Sequence, residues 1–492
     1  RVNIPNSAER NLVWSPDSRY LAFQATIAGK TATFTVSPPV DVKPKLFNDQ
    51  IGSGPQWLKV GGPIHWLVKS VPMASGPGSK NVAYPFLCFQ NVNIGTKHQA
   101  AFEQCWRAMR DYFYDERLNN RDWDEVKAKY STMAAETSTR LDLARVVSLM
   151  LGELNGSHLG FRVSLPSTTE DQWRPVTAHL GARFDAGFPG PGFKVKSVVY
   201  GSPAAKKKSL LEPSDIILEV DGATIEKGAS VASVFTGLPV RDIELKVVNK
   251  EEKERIVRIR PTTYATIRSL LYEEWVRANR EAVTKASNGK LAYLHIQGMN
   301  MPSFYRFEQE LYEVAGGKDG IVIDVRENGG GFTTDHLLTV LTQPVHAITV
   351  PRGGTRGYPQ SRRIYATWEK PIVVLCNQNS FSNAEIFSHA IKTLKRGQLV
   401  GVPTSGSVIS TGSRSIMDLG SLRIPFRGWY LHGSGEDMEH NGAIPDHVLW
   451  PWPGDLPAGT DVQLNKAIDV LKRDVARRQA LPQANLRKAS ER

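Results

Sequence analysis

Cysteine is scarce in this 492-residue chain, which holds only Cys88, Cys105 and Cys376. No CxxC spacing and no nearby pair of histidines accompanies them, so the pattern argues against a zinc site. Three cysteines are also too few, and odd in number, for a disulfide framework. Long hydrophobic runs are missing too, since none reaches the ~18 residues of a transmembrane helix. We therefore expect no metal centre and no membrane span.

Clustered positive charge is also missing, although the formal net charge is +12. The densest short run, Lys206-Lys207-Lys208, falls in an expected surface loop, and much of the remaining excess lies in the tail after Arg473. This distribution is more typical of solvated surface than of a nucleic-acid footprint. We therefore expect no nucleic-acid partner.

The bulk composition indicates a globular protein, with 41% hydrophobic and 22% charged residues. The length allows about three domains. The chain begins with Arg1 rather than Met, and its first residues are already patterned like a strand. We expect that the natural N-terminus, with any signal peptide, is absent from this sequence.

Residues 1–90 contain an internal sequence repeat. Trp14 and Leu21 flank a Ser-Pro-Asp turn, and Trp57 and Ile64 flank a Gly-Gly-Pro turn 43 residues later. A period of ~40–45 residues with a turn inside a hairpin is typical of β-propeller blades. The phrase WSPDSRYLAF resembles WD40-like repeats, which predicts two terminal blades of a larger propeller. The alternative is a chance match of two Trp-bearing hairpins.

Residues 91–175 are predicted to be helical. One stripe runs through Phe102, Trp106, Met109 and Phe113 at helical spacing. Two further helices follow, and Thr139 is the expected cap of the last one. The segment ends in Gly-Ser-His-Leu-Gly at 156–160, where glycines indicate a tight connection into a strand. By itself, this Ser-His pair would be a polar turn.

Residues 176–262 are predicted to be rich in strands. A GSPA turn at 201–204, followed by Asp215, a hydrophobic strand and Asp221-Gly222, resembles a PDZ domain. The glycine usual before that aspartate is Ser214 here. The resemblance implies that a peptide carboxylate binds at the Leu180-Gly181 loop. A generic small β-module is the alternative.

Residues 263–475 alternate between helix and strand, which predicts an α/β layered domain. A glycine triplet at 329–331 follows a predicted strand, and consecutive backbone N–H groups there could bind a phosphate or an oxyanion. The triplet lacks the Lys of a P-loop and the GxGxxG of a dinucleotide fold, so a plain turn is equally open. Residues 476–492 are predicted to be a basic, disordered tail.

The stretch from Pro371 to Leu394 joins a strand-like apolar run to a helical pattern through a polar turn. Ser382 lies at the turn, where the helix N-terminus favours negative charge. It could be a nucleophile with N–H donors nearby, or only an N-cap. The turn by itself favours the cap.

Five segments together resemble the tricorn-type branch of the tail-specific serine peptidases. They are GSHLG at 156–160, DVRENGGG at 324–331, NQNSFSNAEI at 377–386, GVPTSG at 401–406 and EHNGAIPD at 439–446. They occur in the family's order and cover about residues 90–475. The resemblance implies a fold of propeller blades, a helical subdomain, a PDZ domain and an α/β core of the ClpP/crotonase kind.

The resemblance also implies a role for each matching residue. Ser382 would be the nucleophile, His158 its general base, and Ser157 the link from the imidazole to Glu439. Such a link can fix the tautomer of the imidazole. The alternatives nearby are Ser380 as the nucleophile, His389 as the base, and Glu436 or Asp437 as the acid.

The oxyanion donors implied by the resemblance are the N–H groups of Gly330 and Asn383, with Gly329 as the alternative to Gly330. Asn383 departs from the family, which has aspartate there, facing basic side chains of the substrate. A neutral amide loses most of that Coulomb attraction. We therefore expect a weaker preference for Lys or Arg at the cleaved position.

The function implied is a serine endopeptidase that acts on peptides or unfolded polypeptides, without metal or cofactor. The resemblance also suggests a homo-oligomer and slightly favours the cytoplasm. One alternative is a catalytically silent peptide-binding scaffold, although a silent relative would usually lose a catalytic residue and none is lost here. A nucleotide-binding α/β protein is the other, and it lacks a lysine or acidic ribose partner.

Overall fold

The structure is a computed structural model that describes residues 8–78, 81–87, 89–164, 176–237, 241–354, 356–357, 366–487 and 489–491. Cys88 lies outside the described residues. The chain divides into two compact units, Arg1–Asn93 and Ile94–Arg492. Within the described residues no helix has the length and apolarity to cross a membrane.

The first unit contains two four-stranded antiparallel sheets. Their strands in order are β1 (Arg10–Trp14), β2 (Leu21–Ile27), β3 (Lys30–Ser37), β4 (Asp41–Asn48), then β5 (Ser53–Trp57), β6 (Ile64–Val68), β7 (Val71–Ser75) and β8 (Asn81–Ala83). The sequence repeat has a structural counterpart, because Trp14 pairs with Leu21 across one pair of strands and Trp57 pairs with Ile64 across another. Each sheet therefore repeats the same hairpin at the same place.

Three helices open the second unit: α1 (Ile94–Tyr112), α2 (Trp123–Ala135) and α3 (Arg140–Gly152). The predicted cap is confirmed, since the Thr139 side chain accepts a hydrogen bond from the Asp142 N–H. Phe102 and Met109 of the predicted stripe are fully buried among the three helices. The Ser-His pair follows α3 and leads into β9 (Gly160–Val163).

A β-rich domain follows, with one short helix. Its elements are β10 (Ala178–His179), β11 (Ala182–Phe184), β12 (Phe193–Val198), β13 (Ile216–Val220), β14 (Ala223–Thr224), α4 (Val231–Phe235), β15 (Ile243–Val248), β16 (Glu254–Ile259) and β17 (Thr262–Thr263). The main sheet has the order β11-β12-β13-β15-β16, and β10 pairs with β17. Phe193, Val195 and Leu245 belong to its separate core.

The rest of the second unit is built on a parallel sheet. Its elements are α5 (Tyr264–Ala286), β18 (Leu291–His295), α6 (Met301–Glu313), β19 (Gly320–Asp324), α7 (Thr334–Leu341), β20 (Ile372–Cys376), α8 (Asn383–Thr393), β21 (Gln398–Gly401), β22 (Ile409–Ile416), β23 (Gly420–Gly428), β24 (His447–Val448) and α9 (Val462–Gln479). The sheet order is β18-β19-β20-β21-β24.

Every residue of β18, β19 and β20 is buried, as expected when helices cover both faces of a parallel sheet. Cys376, the last residue of β20, is fully buried. Helix α9 continues four residues beyond the predicted end at 475, so the segment predicted as disordered tail begins as helix. After it, residues 481–487 have no helix or strand.

A hairpin that the sequence analysis did not predict lies beside this sheet. Strands β22 and β23 pair with each other, and β23 also pairs with β9 from far earlier in the chain. Leu422 and Ile424 of β23 pack into the core of the three N-terminal helices. The hairpin thus connects the helical subdomain to the α/β core.

Candidate active site

Ser382 lies where β20 ends and α8 begins. Its backbone angles, φ 57° and ψ −117°, are unusual for a residue other than glycine and mark a sharp, strained turn. The Ser382 N–H donates to Glu385 Oε1 at 3.0 Å. Its hydroxyl lies 3.2 Å from His158 Nε2. Ser382 therefore stands at the N-cap position of α8, while its side chain contacts the imidazole.

A continuous line of hydrogen bonds runs from Ser382 to Glu439. Ser157 Oγ lies 2.6 Å from His158 Nδ1 and donates to Glu439 Oε2 at 2.9 Å. Because the Ser157 proton goes to the carboxylate, its oxygen is free to accept the Nδ1–H of His158. That tautomer leaves His158 Nε2 as an acceptor facing Ser382. The structure thus brings together the four residues predicted as catalytic.

The Glu439 carboxylate is buried and held by backbone as well as by Ser157. The Ser157 N–H donates to Oε1 at 2.6 Å, and the Val408 N–H donates to Oε2 at 2.8 Å. Of the competing acids, Asp437 accepts from the Tyr114 hydroxyl and from the Glu439 N–H instead. Glu439 alone of these acids contacts Ser157.

The other competing residues are placed differently. Ser380 is fully buried, and its hydroxyl donates to the Val325 carbonyl below the turn. His389 lies on α8 with its Nε2 at 3.1 Å from the Asn441 carbonyl. Neither residue has a hydrogen bond to Ser382 within the described part of the chain.

The surroundings of His158 favour its neutral form. Burial, and to a smaller extent the Arg423 guanidinium, lower its pKa to about 4. The ring stacks on Phe381 with 4.7 Å between centroids. A neutral imidazole at pH 7 is the state that can accept a proton from Ser382.

The glycine loop after β19 lies directly against Ser382. Gly330 has φ +88°, and a Cβ added there would be 2.7 Å from the Ser382 Cβ, so only glycine fits. The Gly330 N–H donates to Asn328 Oδ1 at 2.9 Å. The N–H predicted as an oxyanion donor is therefore occupied inside its own loop.

Asn383 is the first residue of α8, where an N–H has no partner within the helix. No described residue accepts a hydrogen bond from this N–H. The side-chain oxygen, predicted to face the substrate, accepts from the Thr334 N–H at 2.9 Å and from its hydroxyl at 3.0 Å. Asn383 thus joins the N-terminus of α7 to that of α8 and still lines the cleft.

Gly181 lies in the β-rich domain and does not line the cleft at Ser382. Its φ of +87° and the close approach of Ser202 require glycine. Its N–H donates to His179 Nδ1 at 2.9 Å. The N–H predicted to hold a peptide carboxylate is therefore satisfied by a neighbouring side chain.

Glu385 is a functional residue that the sequence analysis overlooked. Its fully buried carboxylate accepts from the N–H groups of Ser382, Gly406 and Ser407 and from the Thr404 hydroxyl. Burial raises the pKa of Glu385, while these four donors oppose the rise. The carboxylate joins the Ser382 turn to the loop that leads into β22. Its place three residues into a helix after serine, as in a capping box, was the available signal.

An open cleft of about 1050 Å³ surrounds Ser382 and His158. One side is formed by the glycine loop and α7, including Phe332 and Asp335. The other is formed by the unpredicted hairpin, which contributes Arg423 and Arg427 among others. Within the described residues, no cluster of three His, Cys, Asp or Glu side chains suits a metal ion.

This fold and this site have the arrangement found in serine hydrolases, with Ser382 on a strand-to-helix turn and His158 within hydrogen-bonding distance of it. Comparison with known families agrees. The models for peptidase family S41, the tricorn protease C1 domain and the PDZ domain match residues 290–449, 95–152 and 150–234. The chain is therefore similar to peptidase family S41 over its α/β core and to the tricorn protease over its helical subdomain.

Curated relatives show the same similarity over most of the chain. The tricorn protease of Thermoplasma volcanium is 26% identical over 78% of this chain and 37% of its own length. Tricorn protease homolog 1 of Streptomyces coelicolor is 29% identical over 77% and 35%. The chain therefore spans little more than a third of these relatives.

A solved structure of the tricorn protease shares the fold, with a TM-score of 0.75. The alignment covers 95% of this chain and 46% of that one at 21% identity. At this identity the comparison supports the architecture alone.

Proposed function

We propose that the protein is a serine endopeptidase that hydrolyses peptides or unfolded polypeptides through an acyl-enzyme. The observation that carries this proposal is the unbroken hydrogen-bonded line from Ser382 through His158 and Ser157 to Glu439. The match of residues 290–449 to the model of peptidase family S41 supports it. A silent scaffold would have no reason to keep this line intact.

The proposed reaction has two stages, formation of the acyl-enzyme and its hydrolysis, and His158 transfers a proton in both. Ser382 Oγ attacks the scissile carbonyl as its proton passes to His158 Nε2. The imidazolium donates through Nδ1–H to Ser157, which is polarised by Glu439. His158 then gives the proton to the leaving amine, and the same base activates the water that hydrolyses the ester.

The negative oxygen of the intermediate needs donors beside Ser382. We assign one to the Asn383 N–H, at the start of α8, where the helix dipole adds to the hydrogen bond. The other is an N–H of the glycine loop. It is that of Gly330, if its bond to Asn328 opens, or that of Gly329, which donates to no described residue.

Labelling with a fluorophosphonate probe tests the proposed class, together with hydrolysis of an unfolded model polypeptide. We expect both in the folded protein. A protein heated to unfolding before the probe is added is the control, because labelling must depend on the assembled site. Absence of labelling and hydrolysis in a folded sample would favour the silent scaffold.

The pH dependence of kcat/KM provides a second prediction. Because the pKa of His158 is about 4, activity should persist well below pH 6.5 as the pH falls and be lost only as the imidazole protonates. Arg423→Gln removes one cause of the lowered pKa, so the acid limb should move to higher pH. The exposed Arg414→Gln is the control. An unmoved limb in Arg423→Gln would contradict the electrostatic assignment.

Specificity at the cleaved position provides a third prediction. With neutral Asn383 lining the cleft, we expect no strong preference for Lys or Arg in a peptide library varied at that position. Asn383→Asp should raise the share of basic residues several-fold, because a carboxylate in a partly desolvated cleft attracts cations. A dominant Lys or Arg preference in the natural protein would contradict this.

We infer further features from the family. The two four-stranded sheets are proposed as the last blades of a β-propeller, and the parallel sheet as a ClpP/crotonase-like core. The PDZ domain is proposed to bind peptide ends near Gly181 once the His179 bond yields. A homo-oligomer is proposed by similarity to the tricorn proteins and can be tested by light scattering.

A further inference from the structure

Strand β23 carries two arginines that face the cleft around Ser382. Arg423 and Arg427 both line it, with a register irregularity of the β22–β23 pairing between them. Arg423 lies close enough to His158 to lower its pKa, so the pair extends from the reacting centre along the cleft.

Neither arginine has an acidic partner among the described residues. The Arg423 Nε donates to Thr411 Oγ1 at 3.2 Å, and the Arg427 Nε to Ser410 Oγ at 3.4 Å. These hydroxyls belong to the neighbouring strand β22. The terminal nitrogens of both guanidinium groups donate to no described residue, although they are the fork that binds a carboxylate.

Some other exposed arginines of this protein are paired with a carboxylate. Arg258 contacts Glu244 at 2.6 Å, and Arg260 contacts Asp242 at 2.7 Å. Arg427 instead lies over the Phe426 ring at 5.5 Å, which restrains its side chain without neutralising it. The two cleft arginines therefore present oriented charge that the fold itself does not use.

The opposite wall of the cleft carries negative charge. Asp335, exposed in the first turn of α7, is the carboxylate among the described residues that line the cleft. With His158 neutral, the fixed charges are two positive on the hairpin and one negative across from them. Such a cleft orients a charged peptide and attracts carboxylates to the hairpin side.

We propose that Arg423 and Arg427 bind a carboxylate of the substrate, so that the enzyme prefers peptides with negative charge near the cleaved bond. The carboxylate belongs either to an Asp or Glu side chain or to the free C-terminus of a short peptide. This proposal rests on the proposed peptidase function. It makes the hairpin a specificity element, distinct from the four residues that carry out the reaction.

The test compares four versions of a fluorogenic peptide for each position examined. They carry Glu or Gln at a single position, scanned along both sides of the cleaved bond, and end in a free acid or an amide. We expect kcat/KM to be about tenfold higher for the version with the recognised carboxylate, which corresponds to ~1.4 kcal/mol. In Arg427→Gln the ratio should fall below about twofold.

Arg414→Gln is the matched control, because Arg414 is exposed on the same hairpin but does not line the cleft. It should keep the full ratio. A Glu/Gln ratio independent of the terminus identifies a side-chain carboxylate, and an acid/amide ratio identifies the C-terminus. Equal rates for all four peptides, or a ratio unchanged in Arg427→Gln, would overturn the proposal. Fluorophosphonate labelling in the same samples separates that failure from failure of the peptidase assignment.

Discussion

Replacing Ser382 by alanine is expected to abolish fluorophosphonate labelling and to lower kcat at least a thousandfold. The nucleophile and its proton are lost together, and what remains is transition-state binding by the oxyanion donors. The fold should persist, because alanine keeps the backbone N–H of residue 382, which donates to the Glu385 carboxylate. Peptide hydrolysis and a thermal unfolding curve measured on one preparation separate the two effects.

Ser380→Ala is the matched control for this experiment. Its buried hydroxyl donates to the Val325 carbonyl and accepts from the Asn377 N–H, so its loss should reduce stability. Labelling should continue, since Ser380 does not face the imidazole. If Ser382→Ala retained labelling while Ser380→Ala lost it, the nucleophile would have been assigned to the wrong serine.

Among single changes near the site, Glu385→Gln is expected to lower the free energy of unfolding most. The carboxylate accepts four hydrogen bonds while fully buried, three of them from backbone N–H groups. An amide presents an NH2 group to at least one of those donors, which should cost about 2–4 kcal/mol of unfolding free energy. Because the Ser382 N–H is one of the four, kcat should also fall about a hundredfold.

Denaturant unfolding and peptide hydrolysis measure these two effects. Glu313→Gln, on the exposed face of α6, is the control and should change the unfolding free energy by less than about 0.5 kcal/mol. Stability and kcat that both stayed at natural values in Glu385→Gln would show that this carboxylate does not position the Ser382 turn.

The positions of Ser157, His158 and Ser382 could be predicted from sequence because each lies in a short motif next to the end of a regular element, whereas Glu439 lies in the loop between β23 and β24. Strand, turn and helix around Ser382 are local consequences of apolar periodicity. The contact between Ser157 and Glu439 is not local, and only the family resemblance joined those two segments before the structure did. Their roles in catalysis remain predictions.

The hydrogen bonds of the oxyanion region could not be predicted in this way. Whether the Gly330 N–H is free depends on the competing Asn328 side chain two residues away. Whether the Asn383 amide faces the substrate depends on Thr334, which lies in another helix. Such competition is decided by distances of a few tenths of an ångström, which residue patterns do not contain.

The hairpin of β22 and β23 was missed for a different reason. Its first strand is rich in Ser, Thr and Gly, which resembles a loop. Alternation at Leu422 and Ile424 after the turn at Met417 and Asp418 was the available signal. The pairing of β23 with β9 joins segments too distant in the chain for any local pattern to indicate.

The long separation between Ser157 and Glu439 has a consequence for how the protein is made. Glu439 lies 282 residues after Ser157, with Ser382 and the whole β-rich domain between them. At ~5–20 residues per second, a ribosome needs about 15–60 s to pass from one to the other. For most of that interval the nascent chain has His158 without Ser382, and for all of it Glu439 is missing. The hydrogen-bonded line from Ser382 to Glu439 therefore cannot form until Glu439 has been synthesised.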